Sequence, residues 1–276
     1  MLEVSADAFL LPVGSGFRFC LLRLPRSGSL RGSLLVAPPF AEELNKSRRM
    51  IALAAERIAA SGYAVLEIDC LGCGDSSGVF GDATWDEWIS DLERGYQWLE
   101  NRYEKPKWIW GIRAGALLAT ATLRRIERSP NLLFWQPVIS GRQHLTQFLR
   151  LKFANEFIGE RGTRSGTQEL IERFSKGETL EIAGYCVTPD LAKALADAEL
   201  AIPSGFAGKA ICLEVKAADN GDISPALKSC VERWRRSGAT VLTRSVNGAP
   251  FWQTQQITEA PELIESTCSN LLEADQ

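Results

Sequence analysis

Histidine is almost missing from this chain: of 276 residues one, His144, carries an imidazole. That count excludes a site built from several histidines, whether a zinc centre or a proton relay. Cysteine does not make up the shortfall. The seven cysteines (Cys20, Cys70, Cys73, Cys186, Cys212, Cys230 and Cys268) are odd in number, and most lie within apolar segments. Cys70-Leu-Gly-Cys73 is not followed by a second pair, so free thiols in a reducing compartment are expected, with no metal and no cofactor. An excess of one charge is also missing: 31 Lys and Arg stand against 34 Asp and Glu, a net charge of -3. Nothing in that balance draws the chain to nucleic acid or to an anionic membrane surface. No apolar run approaches the roughly 20 residues that span a bilayer. The N-terminal stretch carries acids and no basic leader segment. No membrane insertion and a cytoplasmic location are the expectation.

What is present is an ordinary globular balance, 45% hydrophobic and 24% charged. The length suits one large α/β domain with an inserted cap. Two β-rich runs, Ala8 to Val13 and Phe17 to Leu24, flank Gly14-Ser15-Gly16 and read as a hairpin. Ser33 to Ala37 is an uninterrupted apolar run of buried-strand type, stopped by Pro38-Pro39. A helix with Met50, Ile51, Ala54 and Ile58 on one face follows, then a strand from Tyr63 to Asp69. Thr84-Trp-Asp-Glu87 has the spacing of a capping box. Trp85, Trp88, Ile89, Leu92, Tyr96 and Leu99 then recur at helical intervals, as a core face rather than a ligand platform.

Lys107 to Trp110 is a strand, and an Ala/Leu-rich helix from Arg113 to Glu127 begins almost at once. Asn131 to Trp135 is a further strand. Regular alternation fails between about Gly141 and Gly208, then returns with strands at Lys209 to Val215 and Thr240 to Val246 and helices at Ser224 to Arg236 and from Ala260. Residues 1–140 and 209–276 are therefore expected to form a mostly parallel sheet with helices on both faces, and 141–208 a helical cap.

In such a sheet ligands gather at the carboxyl ends of the strands. There the most telling stretch is Trp110-Gly111-Ile112-Arg113-Ala114-Gly115, placed between strand and helix like the nucleophile elbow G-x-S-x-G, with arginine where serine would stand. The loop Asp69-Cys-Leu-Gly-Cys-Gly-Asp-Ser-Ser-Gly78 is similar to a stretch common after the fourth strand of α/β-hydrolases. More narrowly, Pro38-Pro-Phe-Ala-Glu-Glu-Leu-Asn-Lys-Ser-Arg-Arg49, Leu71 to Gly78, Gly81-Asp-Ala-Thr-Trp85 and Pro250-Phe-Trp-Gln-Thr254 resemble the exosortase A system-associated hydrolases of the second type. The resemblance covers nearly the whole chain and implies the α/β-hydrolase fold. It also implies a bacterial cytoplasmic protein whose gene accompanies exopolysaccharide and protein-sorting machinery.

Serine-hydrolase chemistry needs a hydroxyl, an imidazole within reach and an acid to orient it. A guanidinium stays protonated and cannot attack a carbonyl. After the last strand, where the histidine should follow, the chain reads Val246-Asn-Gly-Ala-Pro-Phe-Trp252. Asp219 and Asp222 have the acid's place.

Arg113, with Ile112 and Ala114, begins a helix whose free N–H groups favour an anion. Alternatively, Arg113 is neutralised by Glu42, Glu43 or another carboxylate. The loop Phe40, Ala41, Glu42, Glu43, Asn45 stands where active relatives place oxyanion donors, and Trp252 follows the last strand. These residues are the candidate ligand site, although the two acids have an equally good role as a helix N-terminal charge pair.

Three functional readings follow. One is a triad-less protein binding an anionic or acylated small molecule or a partner. The second is an ester or thioester hydrolase, or acyl transferase, acting through water or cysteine, with Glu42, Asp75, Cys73 and His144 as catalytic candidates. The third is an assembly subunit, homo-oligomeric or with a protein partner, marked by an exposed apolar patch.

Overall fold

The opening hairpin forms where Val13 meets Gly16 and runs back to the pairing of Val4 with Pro25. Its strands are β1 (Val4–Val13), four residues longer at its start than the apolar pattern alone suggests, and β2 (Gly16–Pro25), one residue longer at each end. Along β2 inward residues alternate with half-exposed ones, as one covered face requires. Strands β3 (Gly32–Ala37), β4 (Tyr63–Ile68), β5 (Lys107–Ile112) and β6 (Asn131–Trp135) are instead buried almost throughout. That is the signature of parallel strands covered on both faces. With β9 (Lys209–Lys216) and β10 (Thr240–Asn247) they complete an eight-stranded sheet of order β1-β2-β4-β3-β5-β6-β9-β10. β1, β2 and β4 pair antiparallel, and every pairing from β4 to β10 is parallel. The structure, a computed structural model, describes residues 4–14, 16–26, 28–104, 107–126, 129–154, 163–217 and 221–275.

Successive strand residues point to opposite faces, so each strand feeds two cores. Leu35, Leu66, Ile109 and Phe134 enter one, together with α2 (Trp85–Glu100), α3 (Gly115–Thr122) and α8 (Pro225–Arg236). Leu34, Val65, Trp108, Trp110, Leu133 and Trp135 enter the other, against α1 (Glu42–Ala60) and α9 (Pro261–Ala274). The expected arrangement, a mostly parallel sheet with helices on both faces, is the one found.

Between β6 and β9 the chain forms α4 (Gly141–Leu149), α5 (Leu151–Ala154), α6 (Thr163–Ser175), a hairpin of β7 (Leu180–Ile182) and β8 (Tyr185–Val187), and α7 (Pro189–Asp197). Leu145, Phe148, Leu191 and Leu195 of this segment are buried in the first core.

Two local expectations change. Thr84 accepts the Glu87 amide at 3.1 Å, but Glu87 Oε1 binds Arg18 and Arg94 at 3.0 and 2.8 Å, so only half of the capping box is made. The helix expected from Arg113 starts at Gly115, because Arg113 has a φ of 54° and so lies outside it. It also ends at Thr122, short of the expected Glu127, which itself lies outside the described residues.

Candidate functional site

The carboxyl ends of β3, β5 and β6 lie side by side, and the chemistry-bearing residues collect there. The β5–α3 turn is tight. A side chain on Gly115 would run into the Ala37 and Pro38 carbonyl oxygens, and one on Gly111 would come within 2.7 Å of the Ala116 Cα. Both glycines are therefore required by close approach. Arg113 itself takes a left-handed backbone, a conformation that costs a non-glycine residue on the order of 1 kcal/mol or more unless its surroundings hold it. Here they do. The Arg113 amide donates to Trp135 O at 3.0 Å, and its carbonyl accepts from Val138 N at 3.2 Å.

The side chain is held as firmly. Arg113 Nε faces both oxygens of Glu43 at 3.2 Å, Nη2 donates to Glu43 Oε1 at 3.0 Å, and Nη1 donates to Gln136 O at 3.1 Å. Its guanidinium also lies over the Trp252 ring, 5.0 Å from the centroid. Gln136, another positive-φ residue (42°), passes the link on, its Oε1 accepting from Val215 N at 2.7 Å. Arg113 thus ties β5, β6 and β9 to the first turn of α1. Of the two acids proposed to neutralise it, Glu43 does so. Glu42 pairs with Lys46 at 3.0 Å, one helical turn on. Successive helix residues point about 100° apart, so two adjacent acids cannot both face one guanidinium.

Glu43 Oε2 lies 4.0 Å from His144 Nε2. His144 is 5% exposed, and neither of its ring nitrogens has a hydrogen-bond partner among the described residues. Burial holds the imidazole below its ordinary pKa, Glu43 opposes that and Arg113 adds to it. Phe40 packs against its edge, centroids 6.0 Å apart. Between α1 and α4 these groups border a partly open cavity of about 140 Å³, lined by Phe40, Glu43, Arg113, His144, Phe148 and Trp252 among others. Lys46, Gln147, Leu151 and Gln253 also face it, and these four and Phe148 were not anticipated. Gln147, Phe148 and Leu151 stand three, four and seven residues beyond His144, so helical spacing would have pointed to them once His144 was placed on a helix.

The other candidates lie elsewhere. Ile112 is fully buried at the end of β5. Ala41 (φ 49°) and Ala114 are buried on either side of the elbow and, with Cys73, border a void of only about 10 Å³. Asn45 donates to the Tyr185 hydroxyl of β8 at 2.8 Å. Asp75 is exposed, its amide given to Asp69 Oδ2 at 3.1 Å. The Cys73 thiol is pushed up to about 12, first by burial and then by Asp69. Cys70 is fully buried and raised for the same reason. Asp222 borders a separate cavity with Lys216, Lys228 and Arg235; Asp219 lies outside the described residues. No group of three or more His, Cys, Asp or Glu among the described residues is gathered to hold a metal. No helix among them is long and apolar enough to cross a membrane.

No protein-family model and no curated protein matches the chain by sequence. Solved structures do match in shape. Est1E from Butyrivibrio proteoclasticus with ferulic acid bound superposes with a TM-score of 0.64 at 12% identity, over 97% of this chain and 99% of that one. A highly thermostable carboxyl esterase from Bacillus coagulans in complex with glycerol gives 0.64 at 12% identity, over 99% of each chain. An α/β serine hydrolase without a lid from Xanthomonas campestris gives 0.56 at 13% identity, over 98% and 93%. The chain has the α/β-hydrolase fold. In α/β-hydrolases the strained strand-to-helix turn presents a serine, with the acid and the histidine later in the chain. In this α/β-hydrolase-fold protein that turn is kept, glycines and left-handed backbone included, and it presents Arg113. After β10 it is Trp252 that reaches the elbow residue.

Proposed function

We propose that this α/β-hydrolase-fold protein works without serine-hydrolase chemistry, as a binding protein for a small uncharged molecule in the cavity beside Arg113. One observation carries the reading. The residue at the elbow is a guanidinium fixed by Glu43, the Gln136 carbonyl and the Trp252 ring, in a position that leaves no nucleophile. Because Glu43 fills the Nε/Nη2 side of that fork, an anionic ligand would have to displace a carboxylate already in place. Glu42 and Lys46 form a second pair at the cavity, so its charges balance. An uncharged ligand suits it better than an anion.

A non-serine enzyme has less support. Cys73 is held as a thiol and borders almost no free space, and Asp75 is in solvent. Residues 141–208 are assigned as the cap, bringing His144 and Phe148 over the site. The motif strings from Pro38 to Arg49 and from Pro250 to Thr254 support a place among the exosortase A system-associated hydrolases, and hence a cytoplasmic role beside exopolysaccharide machinery.

The test is to incubate the purified protein with a panel of acyl esters and thioesters, following product release and intact mass. No turnover and no adduct from folded protein is the expected result. Turnover that disappears in Glu42→Gln or Cys73→Ser would overturn the binding role and establish a non-serine enzyme.

A further inference from the structure

The site leaves one polar account open. His144 is buried, yet neither ring nitrogen is hydrogen-bonded to any of the described residues. An unmet buried polar group costs on the order of 1–3 kcal/mol, so a group left this way beside a cavity is met by what the cavity holds, a water or the polar group of a ligand. Glu43 Oε2 lies 4.0 Å from Nε2, too far for a direct hydrogen bond. It is the right span for one inserted oxygen: an atom about 2.8 Å from each end subtends an angle of about 90°. With the imidazole proton on Nε2, such an oxygen accepts from Nε2–H and donates to the carboxylate at once.

We infer that the cavity recognises a small uncharged alcohol, whose hydroxyl bridges His144 Nε2 and Glu43 Oε2 while its apolar body lies among Phe40, Phe148, Leu151 and Trp252. This rests on the binding role proposed above and names the group that is read. The other common functional groups fit worse. A carboxylate has no proton for Glu43 and meets its charge. An ammonium has no lone pair with which to accept from Nε2–H. A hydrocarbon leaves the imidazole unmet. The volume, about 140 Å³, limits the body to roughly one ring, since a cavity of about 150 Å³ holds a benzene.

The experiment titrates the whole protein with benzyl alcohol, ethylbenzene, benzoate and benzylamine, four probes of one ring that differ in the polar group. Because the chain has one histidine, its ring nitrogens give a single unambiguous set of NMR signals. Benzyl alcohol is expected to move the Nε2 signal and to bind about tenfold tighter than ethylbenzene, the worth of one hydrogen-bonded site. His144→Phe should bring the two probes level. Equal binding of benzyl alcohol and ethylbenzene, tighter binding of benzoate or benzylamine, binding of none of the four, or a preference that survives in His144→Phe would each overturn the assignment. Should that variant fail to fold, the Nε2 signal of the wild-type protein decides, a signal unmoved by bound benzyl alcohol counting against the bridge. Failure of the broader reading looks different: it shows as turnover in the ester panel, whatever the four probes do.

Discussion

At the scale of single residues, the elbow trades a reactive group for a structural one. Arg113 and Glu43 are largely buried, their side chains 12% and 19% exposed. Removing one partner of such a pair leaves the other charge without compensation, a loss of about 3–5 kcal/mol for a fully buried pair and less here. Arg113→Met should therefore lower stability by about 2–3 kcal/mol, and adding Glu43→Gln should restore part of it. Chemical denaturation of the two single variants and the double variant checks this; additive losses would mean the pair is not coupled.

His144 makes a second prediction, in pH. Burial holds its folded-state pKa below the ordinary value. The unfolded chain therefore takes up a proton as pH falls through about 6.5, before the folded protein does. The contribution of neutral His144 is complete above that pH, is lost as pH drops toward the folded pKa, and changes no further below it. His144→Phe should flatten this slope in denaturation curves recorded from pH 7.5 downward. Asp69 and Asp91, whose pKa values burial raises, act in the opposite sense at lower pH. They are common to both proteins and cancel in the difference.

At the scale of elements, the β5–α3 junction is the least forgiving part of the chain. Gly115→Ala places a methyl group against two backbone carbonyls that belong to the neighbouring β3 end, neither of which can move alone. Gly177, with a φ of 86°, has open space around its Cα. Gly177→Ala should cost about 1 kcal/mol from backbone strain alone, whereas Gly115→Ala should abolish the folded state or lower its melting temperature by far more. Circular dichroism melts of the two variants make the comparison, and equal shifts would mean that the turn is looser than drawn.

This junction also shows what the sequence could and could not reveal. Strands β3 to β6 were legible because burial on both faces leaves continuous apolar runs, and the tryptophan stripe of α2 was legible as a core face from its period. The start of α3 was not, because a left-handed residue leaves no mark in composition. The choice between Glu42 and Glu43 depended on the angle at which α1 starts, which Ala41 sets with a φ of 49°. Gln136 was missed because its contribution to Arg113 is a backbone carbonyl, common to every residue.

At the scale of the whole molecule, the segment between β6 and β9 is bound into the structure from two sides. Its ends leave and rejoin neighbouring strands, since β6 pairs directly with β9 from Leu132 opposite Ala210 to Trp135 opposite Leu213. Its interior does the same: Leu145, Phe148, Leu149, Leu170, Leu191 and Leu195 belong to the buried cluster that contains Leu35, Leu66 and Phe134 of the sheet. Exposing them would uncover apolar surface of α2 and α3 as well, at roughly 25 cal/mol for each Å². A segment that shares one core with the sheet has no separate stability of its own. The protein should therefore unfold in a single transition. Far-ultraviolet circular dichroism, which reports all helices and strands, and a fluorophore attached to the exposed Cys186 of β8, which reports the segment alone, should give the same midpoint. An earlier transition at Cys186 would show instead that the segment opens by itself, and that the cavity between α1 and α4 opens without loss of the sheet.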